Sequence, residues 1–207
     1  MLKKPQFVKL GMVSSLLLAL GGALSLAAAA AFAAAFHRVR ALAIAPGLLI
    51  GVAFVILAFS VHSYVPAAKK AWSGLSLVFA IVFAAVAGAN TMIQLTTAGQ
   101  TTLPGAVDGS ELLAVSNPRS IFWALRVTGL GFFGTAALFA APIYGAGGLE
   151  RAIRLLLVLG GTVSVAAAAA HAVNSNWLFT AAGAIIFAAW GLILLITSGL
   201  IHLWFRR

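Results

Sequence analysis

One arginine and two amide side chains stand inside long apolar stretches, where polar groups are costly and are often functional. Arg126 follows the stretch 121–125 (IFWAL) and precedes 127–131 (VTGLG). Asn90 and Gln94 are four positions apart, so a helix presents both on one face. A guanidinium beside two amides could bind an anionic or carbonyl-bearing ligand. The sequence therefore predicts a ligand-binding site at Asn90, Gln94 and Arg126.

The four histidines are a second set of residues with possible chemistry. If the helices alternate in direction across a membrane, His37 and His171 lie near one face, and His62 and His202 near the other. Two imidazoles per face, each from a different helix, is the arrangement that axial ligation of two haems would need. The competing interpretation places all four rings at the lipid–water interface, and we favour it because His37 precedes Arg38 and His202 lies near the C-terminus. We therefore expect no haem.

Residues for enzymatic chemistry are scarce. The chain has three acidic residues, Asp108, Glu111 and Glu150, and no cysteine. Paired carboxylates, thiolate metal sites and thiol nucleophiles are thus absent from the sequence, as are a nucleophile elbow and a phosphate-binding loop. We predict no catalytic residue and no metal; the sequence favours a non-enzymatic protein but leaves enzymatic activity open.

The composition explains where such a chain can fold. It is 63% hydrophobic and 8% charged, with a mean hydropathy of +1.11, whereas soluble domains carry about 25% charged residues. The net charge of +10 does not indicate nucleic-acid binding, because the basic residues are dispersed in pairs between apolar runs. The expected partner is the lipid bilayer, and no nucleic acid is expected.

Apolar runs bounded by charge, proline or polar clusters predict an all-α protein with six transmembrane helices. They lie at about 9–36, 43–65, 71–97, 120–143, 151–173 and 177–204, in a single transmembrane domain spanning 1–207, with a long outer loop at about 98–119. The first apolar run is about twice as long as a signal-peptide core, so we expect an uncleaved first helix.

The distribution of lysine and arginine predicts the orientation. With the N-terminus inside, nine of them fall on the cytoplasmic side and three, Arg38, Arg40 and Arg119, on the outer side. The positive-inside rule therefore favours both termini in the cytoplasm.

In this topology Arg126 and Asn90 lie at a similar depth in the outer half, about 10 Å from the outer helix ends at 1.5 Å per residue. Consecutive helices are usually neighbours, so we predict a hydrogen bond from Arg126 to Asn90 or Gln94. The alternative is that Arg126 extends to the outer headgroups while the amides link two helices.

Glycine and alanine recur at helical spacing, which favours close helix packing in lipid. Gly47 and Gly51 form a GxxxG pattern. It could form a dimerisation face, but we favour packing within one chain.

Four stretches near the predicted span ends look familiar together: 66–73 (PAAKKAWS), 90–96 (NTMIQLT), 117–125 (NPRSIFWAL) and 149–154 (LERAIR). Over about residues 50–160 the chain resembles a group of uncharacterised bacterial multi-pass membrane proteins of unknown function. The resemblance implies six spans and a bacterial cytoplasmic (inner) membrane location. It implies no activity.

Three functions remain open. The first is non-enzymatic binding of a partner protein, which could be a second copy of the chain, or of a lipid-like ligand. The second is a small transporter or ligand-binding channel with an outward-facing polar site at Asn90, Gln94 and Arg126. The third is a haem-carrying electron-transfer protein.

Overall fold

The structure is a computed structural model that describes residues 4–34, 40–96, 110–115 and 117–207. All regular secondary structure in these residues is helical. The long helices are α1 (Lys4–Ala34), α2 (Arg40–Tyr64), α3 (Lys70–Thr96), α4 (Ile121–Ala140), α5 (Gly148–Val173) and α6 (Ala181–Phe205). Each contains a stretch that is long and apolar enough to cross a membrane. The predictions of an all-α fold and of six such helices are confirmed.

Local sequence explains where the helices begin. Ser120 precedes α4 and its hydroxyl accepts a hydrogen bond from the Trp123 amide, and Thr180 serves α6 in the same way through the Gly183 amide. Such N-caps satisfy amides that have no partner inside the helix. α6 starts a few residues later than expected, because a 3₁₀ turn over Ser175–Phe179 precedes it. α1 starts earlier, at Lys4.

The six helices form a closed ring. Each packs against its neighbours in the chain, and α6 packs against α1. Close contacts run in opposite directions along adjacent helices, for example Gly11 with Phe205 and Gly22 with Gly191 between α1 and α6, so these neighbours are antiparallel. Contacts between α5 and α6 are the sparsest of the six adjacent pairs.

The alternation of helix directions gives the bundle two distinct ends. The terminal end holds the start of α1, the end of α6 and the connections at 65–69 and 144–147. The loop end holds the segment 110–115 and the turn between α5 and α6. Most of the predicted outer loop at 98–119 lies outside the described residues, and its Ser110–Leu113 portion is a 3₁₀ turn.

Aromatic side chains fill the middle of the ring. Phe54 packs on Phe133 with ring centroids 4.7 Å apart. Phe83 and Trp190 approach the same Phe133 ring from α3 and α6, each at 5.4 Å. The bundle therefore has a packed centre built from four of its six helices.

Glycines set the closest helix approaches. A Cβ on Gly51 would lie 3.3 Å from the Ala84 backbone, and one on Gly47 would lie 3.3 Å from the Thr91 hydroxyl. The GxxxG pattern thus faces α3 of the same chain, which confirms packing within one chain and leaves this face unavailable for a dimer. Between α4 and α5 the approach is tighter, since a Cβ on Gly134 would lie 2.6 Å from the Gly161 carbonyl oxygen.

At the terminal end, Glu150 links three elements. One carboxylate oxygen accepts a hydrogen bond from the Trp204 indole at 2.9 Å, and the other accepts one from the Gly145 amide at 2.7 Å. The carboxylate also lies in the first turn of α5, where a negative charge is favourable. Glu150 therefore holds the α4–α5 connection against the end of α6.

Candidate ligand-binding site

A cavity of about 60 Å³ lies inside the ring at the loop end. Five helices supply its walls, and only the α5 side is missing from its lining. The polar and aromatic lining residues are Ser25, Asn90, Thr91, Phe83, Phe122, Arg126, Phe187 and Trp190. A space of this size holds on the order of four to six water molecules.

Asn90 lines this cavity and carries an unused acceptor. The residue lies on α3 and is 6% exposed. Its side-chain amide nitrogen donates to the Phe122 carbonyl oxygen at 3.2 Å, while its side-chain oxygen is buried without a partner. The nitrogen must face Phe122, because an amide oxygen turned toward a carbonyl would be repelled. One strong acceptor is thus left over, at a cost of about 1–3 kcal/mol.

Arg126 supplies the charge. It lies five residues into α4, about 8 Å below the helix start at 1.5 Å per residue. Its guanidinium carbon lies 5.8 Å from the Phe122 ring centre and 5.9 Å from that of Phe187, which are cation–π distances. Of the described residues that line the cavity, Arg126 is the only charged one.

The predicted hydrogen bond between Arg126 and an amide is wrong. Asn90 and Gln94 each use the amide nitrogen on a backbone carbonyl, and each leaves its side-chain oxygen unpartnered. The guanidinium could donate only to those oxygens, and it lies over the phenyl rings instead. Asn90 and Arg126 line one cavity without a hydrogen bond between them, so a ligand that fills the cavity could contact both.

Gln94 lies one turn farther toward the loop end and has a different setting. It is 2% exposed, and its amide nitrogen donates to the Leu113 carbonyl oxygen at 2.9 Å. It does not line the cavity that holds Arg126. The structure therefore brings two of the three predicted residues together, while Gln94 anchors the 110–115 segment to α3.

Trp190 is a cavity residue that sequence reasoning missed. It lies on α6, is 8% exposed, and its indole N–H is buried without a partner. The sequence did contain an indication of this role. Tryptophans of membrane proteins concentrate at the interfaces, whereas Trp190 lies near the middle of an apolar run. A mid-span indole needs a hydrogen-bond partner that lipid cannot supply.

Two of the three described histidines have polar side-chain neighbours. His62 and Ser73 are 2.9 Å apart through Nδ1 and Oγ, and His202 Nδ1 lies 3.3 Å from the Ser15 hydroxyl. His171 has a buried Nδ1 without a partner. His37 lies outside the described residues, so the predicted pairing for haem, like its expected absence, stays a prediction.

The arrangement at the loop end suits binding better than catalysis. It combines a cation, an unused acceptor and an indole donor within an apolar and aromatic wall, the usual make-up of a small-molecule site. No described lining residue is a carboxylate, a histidine or a cysteine that could act as base or nucleophile. Within the described residues, no group of three or more histidine or acidic side chains could hold a metal ion.

Comparisons with known proteins give no match: neither a family model, nor a curated protein, nor a solved structure is similar to this chain. The resemblance to bacterial multi-pass proteins therefore stays a prediction.

Proposed function

We propose that this protein is a non-enzymatic membrane protein that binds a small carboxylate, one carrying its own hydrogen-bond donor, in the cavity between Arg126 and Asn90. The observation that carries the proposal is that two residues with unused groups line one cavity: one has a guanidinium without an ion pair among the described residues, and the other has a buried amide oxygen without a donor.

The uncompensated charge selects an anion. A guanidinium inside a membrane-spanning bundle costs several kcal/mol unless it is paired or reaches the interface. Within the part of the chain that the structure describes, Arg126 lies over the faces of two phenyl rings and has no ion pair, and each ring stabilises the cation by about 0.5–1 kcal/mol. A carboxylate would neutralise the charge and could accept two parallel hydrogen bonds from the planar guanidinium.

The unused amide oxygen further restricts which functional groups the ligand can carry. The Asn90 oxygen can only accept a hydrogen bond, so it repels a bare carboxylate and favours a hydroxyl or ammonium group. A short hydroxy acid such as lactate satisfies both groups. It is also of the right size, since the cavity of about 60 Å³ holds on the order of four to six water-sized atoms.

We place the protein in a bacterial cytoplasmic membrane with both termini in the cytoplasm. The distribution of lysine and arginine supports this orientation. The loop end then faces outward and the cavity lies in the outer half of the bilayer, so a ligand from outside reaches Arg126 without crossing the aromatic centre.

Binding is tested by calorimetry and thermal unfolding of the purified protein in lipid nanodiscs, with lactate and propionate compared. The two acids differ by one hydroxyl, so lactate should bind about tenfold tighter if that hydroxyl pairs with Asn90, since each 1.4 kcal/mol is tenfold. Arg126→Gln should abolish binding of both acids. Arg119→Gln removes an exposed arginine at the same end and should leave binding intact.

A second variant tests the acceptor. Asn90→Leu removes the unused oxygen, and the Phe122 carbonyl that Asn90 contacted can keep its partner inside α4. Lactate should then lose its advantage over propionate while both acids still bind. The proposal fails if neither acid binds, or if Arg126→Gln binds as tightly as the unchanged protein.

A further inference from the structure

We infer that the bound anion can cross the bundle along its axis, through two further cavities, with Trp190 as the barrier at the first step. This inference rests on the proposed function, which supplies the entry site. It adds an activity, the passage of a small carboxylate from the loop end to the terminal end.

The cavities follow one another along the ring axis. A middle cavity of about 40 Å³ lies below the loop-end cavity, and Trp190 lines both. A third cavity of about 30 Å³ lies at the terminal end and shares Phe54, Leu57, Leu157 and Ile201 with the middle one. Together they reach from Arg126 to Tyr144, which lies beside the connection at the terminal end.

Unpaired donors mark the route. Trp190, Thr197 and Ser198 lie on one face of α6, and the Nε1 or hydroxyl of each is buried without a partner. This is unusual here, since other buried serines such as Ser60 and Ser164 donate to a carbonyl in their own helix. A row of unpaired donors in an apolar interior is costly, and a passing anion or water would relieve that cost.

Charge favours anions over cations at the loop-end entry of the route. Arg126 is the only charged residue among the described residues that line the three cavities. The terminal-end cavity adds the hydroxyls of Ser73, Ser76 and Tyr144. Burial, and then the nearby Glu150 carboxylate, raise the pKa of Tyr144 above its usual range, so this hydroxyl keeps its proton at neutral pH.

Trp190 closes the path in this conformation. Among the described lining residues it is the only one that the first two cavities share, and its ring packs edge-on against Phe133 with the ring centroids 5.4 Å apart. Passage therefore requires the indole to leave this position, whereas truncation of Trp190 would join the two cavities permanently.

The experiment is uptake of radiolabelled lactate into proteoliposomes of phosphatidylethanolamine and phosphatidylglycerol, measured above protein-free vesicles. We expect saturable uptake by the unchanged protein. Trp190→Ala should raise the uptake rate about tenfold, which corresponds to 1.36 kcal/mol off the barrier. Trp72→Ala removes an indole that is 45% exposed and lies away from the path, so the uptake rate should not change.

Two variants block the middle cavity from different helices. Ser198→Phe on α6 and Ala137→Leu on α4 add bulk at residues that line it and are 1% and 2% exposed. Each should lower lactate uptake severalfold while lactate still stabilises the protein in nanodiscs, which also shows that the variant is folded.

The two proposals fail in different ways. If lactate binds but is not taken up, or if uptake is insensitive to Trp190→Ala and to both blocking variants, the path is wrong and the binding site stands. If lactate does not bind at all, the proposed function fails and the path fails with it.

Discussion

Replacing Arg126 by methionine should make the unliganded protein more stable. The substitution keeps an unbranched, though shorter, side chain and removes the charge, and methionine adapts readily to irregular apolar space. Most substitutions inside a packed helical bundle destabilise it. A gain at this position would therefore indicate that the arginine is held there at the expense of stability, as expected of a binding residue.

The magnitude follows from the surroundings of Arg126. An arginine at the centre of a membrane helix costs about 2.5–3.5 kcal/mol on insertion scales, which is an upper limit for Arg126, five residues into α4. The two phenyl contacts at 5.8 and 5.9 Å stabilise the guanidinium by about 1–2 kcal/mol together. The net gain for Arg126→Met is then at most about 0.5–2.5 kcal/mol, which corresponds to a melting-temperature rise of about 1–10 °C for a chain of this size.

The assay is intrinsic-fluorescence thermal unfolding in nanodiscs, with ligand-free buffer in every sample. Arg119→Met is the matched control, because Arg119 is exposed at the same end of the bundle, and its effect should stay within about 0.5 kcal/mol. Arg126→Lys keeps the charge without the planar guanidinium and should not stabilise.

A melting temperature that falls with Arg126→Met would refute this reasoning. It would mean that the guanidinium has a favourable partner, as the alternative of contact with outer headgroup phosphates requires. The carboxylate site would then lose its main physical support.

Two further predictions concern the packing of the helices and the orientation of the chain. Gly134→Ala should destabilise the protein by about 1–3 kcal/mol through overpacking, because its Cβ would lie 2.6 Å from the Gly161 carbonyl oxygen. The same change at Gly199, where nothing lies within 4 Å, should be neutral or slightly stabilising in thermal unfolding. Because the chain has no cysteine, single cysteines can also map its orientation in intact cells. Asn176 at the loop end and Ala146 at the terminal end are both exposed. A membrane-impermeant maleimide should label a cysteine at Asn176 but not one at Ala146, and the reverse pattern would overturn the proposed orientation.

Much of the fold could be predicted from the sequence, because few backbone conformations are possible in lipid. Without water to satisfy the backbone, a long apolar run must form a helix. The bounds of α2, α3 and α5 accordingly lie within three residues of the predicted runs. The four-residue spacing of Asn90 and Gln94 also placed both on one face, and both are buried.

The apolar environment also made the partners of the polar residues impossible to predict from sequence. The lipid-facing and core-facing sides of a membrane helix are both apolar, so periodicity shows poorly which side faces which neighbour. Sequence therefore could not show that Gln94 pairs with the Leu113 carbonyl, or that α6 brings Trp190 to the cavity of Arg126.

The sequence by itself determined the number of helices, their approximate bounds and the isolation of one arginine within them. Only the tertiary structure decided that Arg126 and Asn90 line a common cavity without a hydrogen bond between them. The reason is that helix formation in lipid is a local requirement of the backbone, whereas the meeting of two side chains depends on how the six helices close into a ring.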